Sequence, residues 1–265
     1  MALAVATADL REAGCESPRL DAELLLADAL ETTRTSLHLH PERELSLAES
    51  DRFAAAVARR RAREPVAYVL GRRAFRYLEL IVDPRVLVPR PETELLVEVA
   101  LGLPRGARVV DVGTGSGAVA LALKSERPDL RILATDASAE ALVVAQANAS
   151  RLGLQVDFVE GDLLTPLGDA PLDAVLSNPP YVSDHEVPVP ELDHEPPAAL
   201  YAGPDGLDVL RRLVPAAVAR APFVALEVGA GQARAVCQLM RRAGMTDVIA
   251  HRDLAGIERV VVGRR

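Results

Sequence analysis

The stretch Arg108 to Ala118 reads RVVDVGTGSGA. Its first part, Arg108–Val112, is a short apolar-rich run of the kind that forms a strand buried on both faces. It leads directly into Gly113-Thr114-Gly115-Ser116-Gly117. Glycine lets the backbone turn sharply and lets a ligand approach without a Cβ in the way. The helix that follows presents free amides to an anionic group. Asp136 ends the next strand, where an acid can accept hydrogen bonds from a ribose diol. Strand, glycine turn, helix and acid together form a nucleoside-cofactor signature. Gly113, Gly115 and Ala118 also satisfy the G-x-G-x-x-A dinucleotide pattern. This motif alone is therefore shared between NAD-type and S-adenosylmethionine binding.

Outward from this stretch, strands and helices alternate from Glu92 onward. Strands are expected at Arg108–Val112, Arg131–Thr135, Gln155–Glu160, Leu172–Ser177, Phe223–Val228, Thr246–His251 and Glu258–Val262. Helices are expected near 92–102, 116–126, 138–152, 206–220 and 231–243. That order means βαβ units, an α/β class fold and a parallel sheet covered on both faces. The link Asp253 to Ile257 is too short for a helical crossover, so the last two strands should be antiparallel.

Upstream, residues 2 to about 70 read as helices. Ser17-Pro18 starts one, and Ser46 with Glu49 forms a capping box for another. Phe75–Leu80 and Ile81–Val88 flank Asp83-Pro84, which reads as the turn of a hairpin. The expected organisation is a helical domain over 1–73, a hairpin linker over 74–88 and the α/β domain over 89–265.

A second motif narrows the chemistry. The apolar run Leu172–Ser177 is followed by Asn178-Pro179-Pro180-Tyr181. Two adjacent prolines lack amide donors and fix φ, so they hold a stiff loop at a strand end. A side-chain amide, a carbonyl and an aromatic ring then sit side by side. They suit a planar NH2 group, with two acceptors for its hydrogens and a ring for its face. Ligands of doubly wound sheets bind at the carboxyl ends of strands, at the switch point. Gly113 follows the first strand of the domain and Asn178 the fourth, so both sites should open into one crevice. Hydride transfer has no evident need for such a clamp; methyl transfer to NH2 does.

Composition bounds the rest. The chain has 265 residues and a net charge of −8, which argues against broad binding to nucleic acid phosphates. Trp is absent and aromatics are scarce, so the core must be aliphatic. Lys124 is the sole lysine. Cys15 and Cys237 lack any metal or disulfide spacing. No segment reaches an uninterrupted membrane-spanning length and no signal peptide is evident, so a cytoplasmic compartment is the expectation. Nothing demands a dimer, and a monomer is expected.

With these residues in view, the sequence resembles the HemK/PrmC family, the protein-(glutamine-N5) methyltransferases of peptide chain release factors. The resemblance rests on EPVAYVLGRRAF (Glu64 to Phe75), VDPRVLVPRPETE (Val82 to Glu94), DVGTGSGAVALAL (Asp111 to Leu123), SNPPYV (Ser177 to Val182), EPPAAL (Glu195 to Leu200), GPDGL (Gly203 to Leu207) and LEVGAGQ (Leu226 to Gln232). NPPY is shared with DNA and RNA amino-methyltransferases, so an adenine N6-type nucleic acid enzyme is the alternative. PRPETE joined to NPPY is far more particular.

The resemblance implies a helical domain that recognises the release factor, a hairpin linker and a Rossmann-like, seven-stranded class I methyltransferase domain. The substrate would be the glutamine amide of the factor's Gly-Gly-Gln loop. Gly113, Thr114, Gly115, Ser116, Gly117 and Asp136 would hold S-adenosyl-L-methionine, with Asp162, Leu163 and Asn178 beside it. Asn178, Pro179, Pro180 and Tyr181 would hold the glutamine, and Asn178, Pro179 and Tyr181 would carry catalysis. The family often has an aromatic after Gly-Asp where this chain has Leu163, which covers a base without stacking on it.

Other residues have plainer readings. Glu92 and Thr93 either start a helix after Pro91 or belong to the site. Glu227 ends a strand near the crevice, where a structural hydrogen bond is at least as good a reading as catalysis. His185 and His194 read as solvated, with no metal expected. The run Arg59, Arg60, Arg61, Arg63, Arg72, Arg73 and Arg76 reads as a solvated helix face.

Overall fold

The computed structural model describes every residue except Pro188. Apolar spacing organises the N-terminal part into α1 (Ala2–Glu12), α2 (Pro18–Ala29), α3 (Arg34–Leu39), α4 (Leu47–Arg61) and α5 (Val66–Leu70). Leu10, Ala22, Leu25, Phe53 and Val57 form its core. Pro18 occupies the first turn of α2, where a missing amide costs nothing. Ser46 and Glu49 form the expected capping box: the Glu49 amide donates to Ser46 Oγ at 3.3 Å, and the Ser46 amide donates back to Glu49 Oε2 at 2.8 Å. Such a cap stabilises by about 1 kcal/mol.

Residues Met1–Arg72 form one compact unit, to which the short turn Pro190–His194 also belongs. The arginine run is only partly a solvated face: Arg59, Arg61 and Arg72 are exposed, but others are not. Arg60 is only 6 % exposed; its Nε donates to Asp21 at 2.8 Å and its Nη2 lies 2.9 Å from Glu191. Arg63 forks onto the same Glu191 at 2.8 and 2.6 Å. Arg59 pairs with Glu64, and Arg72 with Asp28. Carboxylates distant in sequence neutralise much of the run, which local composition could not reveal. His194 likewise finds a partner, its Nε2 lying 3.2 Å from the Ala62 carbonyl.

The hairpin is β1 (Arg72–Phe75) and β2 (Leu78–Ile81), turning at Arg76-Tyr77 rather than at Asp83-Pro84. Alternation buries Phe75 and Leu80. Asp83 instead folds back on Arg85, accepting from its amide at 3.0 Å and from its guanidinium, and makes a local bend after the strands.

The second unit spans Arg73–Val187 and Glu195–Arg265. Its elements are α6 (Glu94–Ala100), β3 (Arg108–Val112), α7 (Ala118–Glu126), β4 (Arg131–Asp136), α8 (Ala139–Leu152), β5 (Asp157–Glu160), β6 (Ala174–Ser177), α9 (Asp208–Arg220), β7 (Phe223–Glu227), α10 (Ala233–Ala243), β8 (Asp247–Arg252) and β9 (Glu258–Arg264). The seven-stranded sheet runs β5-β4-β3-β6-β7-β9-β8. β3 to β7 are parallel, and β9 is antiparallel to both neighbours, as the short link requires.

Strand periodicity distributes the core. Val109, Ala174 and Ala225 face α6 and α7, whereas Val110, Val175 and Val224 face α9 and α10. Both faces are covered, so β6 and β7 are buried at every residue. The pairing of β3 with β6 is where the strand order reverses. Ser177 Oγ donates to the Val112 carbonyl at 2.6 Å and ties the two strand ends together. Gly113 and Asn178 thereby emerge side by side.

Candidate active site

The glycine turn is held from behind. The Gly113 and Thr114 amides both donate to the Thr135 carbonyl, at 2.8 and 3.0 Å. Asp111 is fully buried; its Oδ2 accepts from Thr114 Oγ1 at 2.6 Å and from the Ala120 amide at 3.2 Å. Burial raises its pKa to about 6 against those two bonds. Gly115 has φ +56, and a Cβ built on it would meet no atom within 4 Å. Its form is required by the backbone, and the space beside it is left open for a ligand. The Gly115 amide donates to Asp136 Oδ2 at 2.8 Å, and the Ser138 amide donates to Oδ1 at 2.9 Å. Burial still raises the Asp136 pKa. Each Asp136 oxygen keeps one acceptor site beyond these bonds.

The turn is also anchored laterally. Asn148, buried on α8, donates to the Ser116 carbonyl at 3.0 Å. The same side chain bonds both the amide and the carbonyl of Ile81 on β2, at 2.7 and 3.0 Å.

Leu163 sits at φ +51, a left-handed conformation that a leucine adopts rarely. Thr135 Oγ1 holds it there by donating to the Leu163 carbonyl at 2.9 Å. Asp162 is exposed and pairs with Arg212.

At the end of β6, Asn178 Nδ2 donates to Thr93 Oγ1 at 3.1 Å. Asn178 Oδ1 is buried and has no hydrogen-bond partner among the described residues. A buried amide oxygen without a donor is rare in native proteins and marks a place for a ligand. Tyr181 Oη donates to Glu227 Oε1 at 3.2 Å. Glu227 is 1 % exposed, and its Oε2 is a second buried acceptor lacking a partner among the described residues. Burial pushes the Glu227 pKa up to about 7, although the hydroxyls of Thr93 and Tyr181 favour its charged form. Burial, followed by the Glu227 charge, raises the Tyr181 pKa.

Two further motifs brace the loop. Gln232 Nε2 donates to the Tyr181 carbonyl at 2.9 Å, while the Gly229 amide donates to Gln232 Oε1 at 2.9 Å. Gln232 Nε2 also reaches the Asp205 carbonyl at 3.2 Å, joining the GPDGL segment to the same amide. Glu195 of the EPPAAL segment is buried, accepting from the Val88 amide at 3.0 Å and from Arg90 at 2.5 Å. It thus pins the segment that carries Thr93.

These elements enclose a crevice of about 380 Å³, within the common range for small-ligand sites. Gly113, Thr114, Gly115, Ser116, Asp136, Asp162, Leu163, Asn178, Pro179 and Pro180 all line it. Gly117 and Tyr181 are not among the lining residues. Gly117 instead packs against Leu121, and Tyr181 lies against Gly229. Thr93, open to two readings from the sequence, lines the crevice and touches Asn178. Sequence reasoning does not single out Asp111, Asn148, Glu195 or Gln232 as site residues. Three of them sit inside the motifs that carry the resemblance, and only Asn148 gives no such signal. Among the described residues, no group of three or more His, Cys, Asp and Glu side chains could hold a metal. No helix among them is long and apolar enough to cross a membrane.

Residues 1–71 match the profile described as PrmC N-terminal domain, and residues 91–192 match the methyltransferase small domain. A release factor glutamine methyltransferase from Geobacter sulfurreducens is 42% identical, over 96% of this chain and 92% of its own. One from Deinococcus radiodurans is 44% identical, over 99% of this chain and 97% of its own. Among solved structures, a methyltransferase from Pyrococcus furiosus shares the fold with a TM-score of 0.56 at 17% identity, covering 80% of this chain and 96% of that one. With this identity sustained along nearly the whole of both relatives, the chain belongs to the release factor glutamine methyltransferase family.

Proposed function

We propose that the protein transfers a methyl group from S-adenosylmethionine to the side-chain amide nitrogen of the glutamine in the Gly-Gly-Gln loop of peptide chain release factors. The observation that carries this reading is the unpartnered, buried Asn178 Oδ1 in the same crevice as the glycine turn. The relatives' name supplies the substrate. The helical unit, which matches the PrmC N-terminal domain, is assigned recognition of the release factor.

The crevice suits the cofactor. Open space beside Gly113 and Gly115 leaves room for its amino acid portion. The amides at the start of α7 favour the carboxylate there. The remaining acceptor sites on Asp136 suit a ribose diol, and the crevice-lining Leu163 and Asp162 would border the base. When bound, the cofactor supplies an electrophilic methyl group on a positively charged sulfur.

The protein's own task is alignment. An amide nitrogen is a weak nucleophile because its lone pair is delocalised into the carbonyl. Asn178 Oδ1 and the Pro179 carbonyl accept the two N–H hydrogens, which orients the nitrogen and favours a pyramidal geometry. Pro180 stiffens the loop, and Tyr181 flanks it with its hydroxyl committed to Glu227. No side chain needs to remove a proton first, since a free amidate would be very costly. As the N–C bond forms and the S–C bond breaks, one N–H proton leaves during or after transfer. Such positioning can contribute roughly 7–11 kcal/mol to rate.

The direct test is mass spectrometry of a release factor after incubation with enzyme and S-adenosylmethionine. One added methyl on the loop glutamine is expected. Transfer to duplex DNA but not to the factor would replace this reading with a nucleic acid amino-methyltransferase.

A further inference from the structure

We propose that Arg212 covers the adenine base of the cofactor, with its flat guanidinium packed on the purine ring. The inference deepens the function proposed above and rests on the reading that the crevice takes S-adenosylmethionine.

A purine is wide and flat, and a site that holds one gains from a flat partner laid on its face. The crevice has no aromatic side chain among its described lining residues. Leu163 supplies apolar surface but no plane. Two arginines remain in the lining, Arg85 and Arg212. An arginine head is planar and delocalised, and it stacks on aromatic faces.

Position separates the two. The ribose reading starts the base from Asp136, at the end of β4. β5 is the next strand, and its Glu160 lies level with Asp136. The Gly161 amide donates to the Asp136 carbonyl at 2.9 Å. The next two residues, Asp162 and Leu163, therefore stand beside the ribose site, and both line the crevice. Arg212 is tied to this spot, because its Nη2 donates to Asp162 Oδ2. Arg85 is instead folded onto Asp83, two residues away, through its Nε and Nη2.

The helix keeps the head there. Val209 lies three residues earlier on the same face of α9 and also lines the crevice. At the far end of α9, Arg220 donates to the Leu164 and Ala170 carbonyls at 3.0 and 2.9 Å. α9 thus runs alongside the segment that begins at Asp162. The Arg212–Asp162 pair adds little to stability, since its side chains are 59 % and 56 % exposed. What it does is orient the head. Guanidinium N–H bonds lie in the plane, so bonding to Asp162 leaves both flat faces free. The carboxylate also offsets the arginine charge, which spares the positively charged cofactor a repulsion.

Two variants and one spectroscopic measurement test this, with S-adenosylhomocysteine and adenosine as probes. Arg212→Ala should raise the calorimetric Kd for both by roughly 5- to 50-fold, the scale of losing one stacking partner of a base. Arg212→Lys keeps the charge without the plane and should recover little of that loss. In wild type labelled with 15N-arginine, the Arg212 Nε–H proton signal is identified by its loss in Arg212→Lys. It should move upfield when S-adenosylhomocysteine is added, because a proton over a ring face is shielded. A proton in the plane of the base, or bonded to one of its nitrogens, moves downfield instead. This shift is read on the wild-type protein, so it holds whatever the variants do to folding.

An unchanged Kd in Arg212→Ala overturns the proposal. So does full recovery in Arg212→Lys, which would make the contribution one of charge, and so does a downfield or absent shift of the Nε–H proton. A wild-type protein that binds neither probe would instead overturn the cofactor reading beneath it. The two failures are therefore distinguishable.

Discussion

The carbonyl oxygen of Tyr181 lies 2.1 Å from the point where a Cβ on Gly206 would stand. No other residue fits this position, whose φ of +72 is itself left-handed. The GPDGL segment therefore acts as a template for the loop that carries Asn178. Gly206→Ala must push Tyr181 away or distort its own turn. A stability loss of roughly 1–3 kcal/mol is expected from overpacking. Turnover should fall further than stability accounts for, and urea unfolding beside steady-state kinetics separates the two.

Asn178→Ala removes the acceptor without touching the glycine turn. Turnover should drop on the order of 100-fold or more, as for loss of one oriented group in a reacting geometry. Calorimetric affinity for S-adenosylmethionine should stay within a few-fold. Near-normal turnover would sink the role assigned to this residue.

In the helical unit, Arg60→Ala leaves Asp21 without its cation, while Glu191 keeps Arg63. Breaking a buried pair in this way costs about 3 kcal/mol or more. Hydrogen exchange should therefore speed up across α2 and α4. Unchanged protection there would show that the ion cluster contributes little.

Asp111 makes a pH prediction with a definite sign. Its folded pKa, about 6, lies above its ordinary value of 3.8. The folded state therefore holds the proton more tightly than the unfolded chain. The stabilisation is complete below about pH 3.8 and is lost as pH rises to about 6. A difference of this size between the folded and unfolded pKa corresponds to about 3 kcal/mol. Wild type should lose that much relative to Asp111→Asn between about pH 4 and pH 7. A stability gap that is flat across this range contradicts the assignment.

Local patterns are more legible in the sequence than distant partners. β3 lies where its apolar run ends at the first glycine, and the β9 reversal follows from a link too short to cross over. The hairpin turn is misplaced by sequence reasoning because Asp83-Pro84 has ordinary turn chemistry while Arg76-Tyr77 has none. Arg76 instead adopts φ +51 with its amide held by Glu94 and its guanidinium by Glu126. In the site, Asn178 is legible because two prolines follow it. The meaning of Thr93 is not, because its partner Asn178 is far along the chain. The tetrapeptide reading sets the Tyr181 ring beside the ligand; the hydroxyl, for which it names no partner, is held by Glu227.

Asn148 joins two pieces of chain that share no other motif. One carboxamide completes the edge of β2 at Ile81 and at the same time grips the carbonyl of Ser116. Mechanically, the hairpin and the glycine turn share this one side chain as a fastening. A substitution at Asn148 would therefore release the hairpin edge and the turn together.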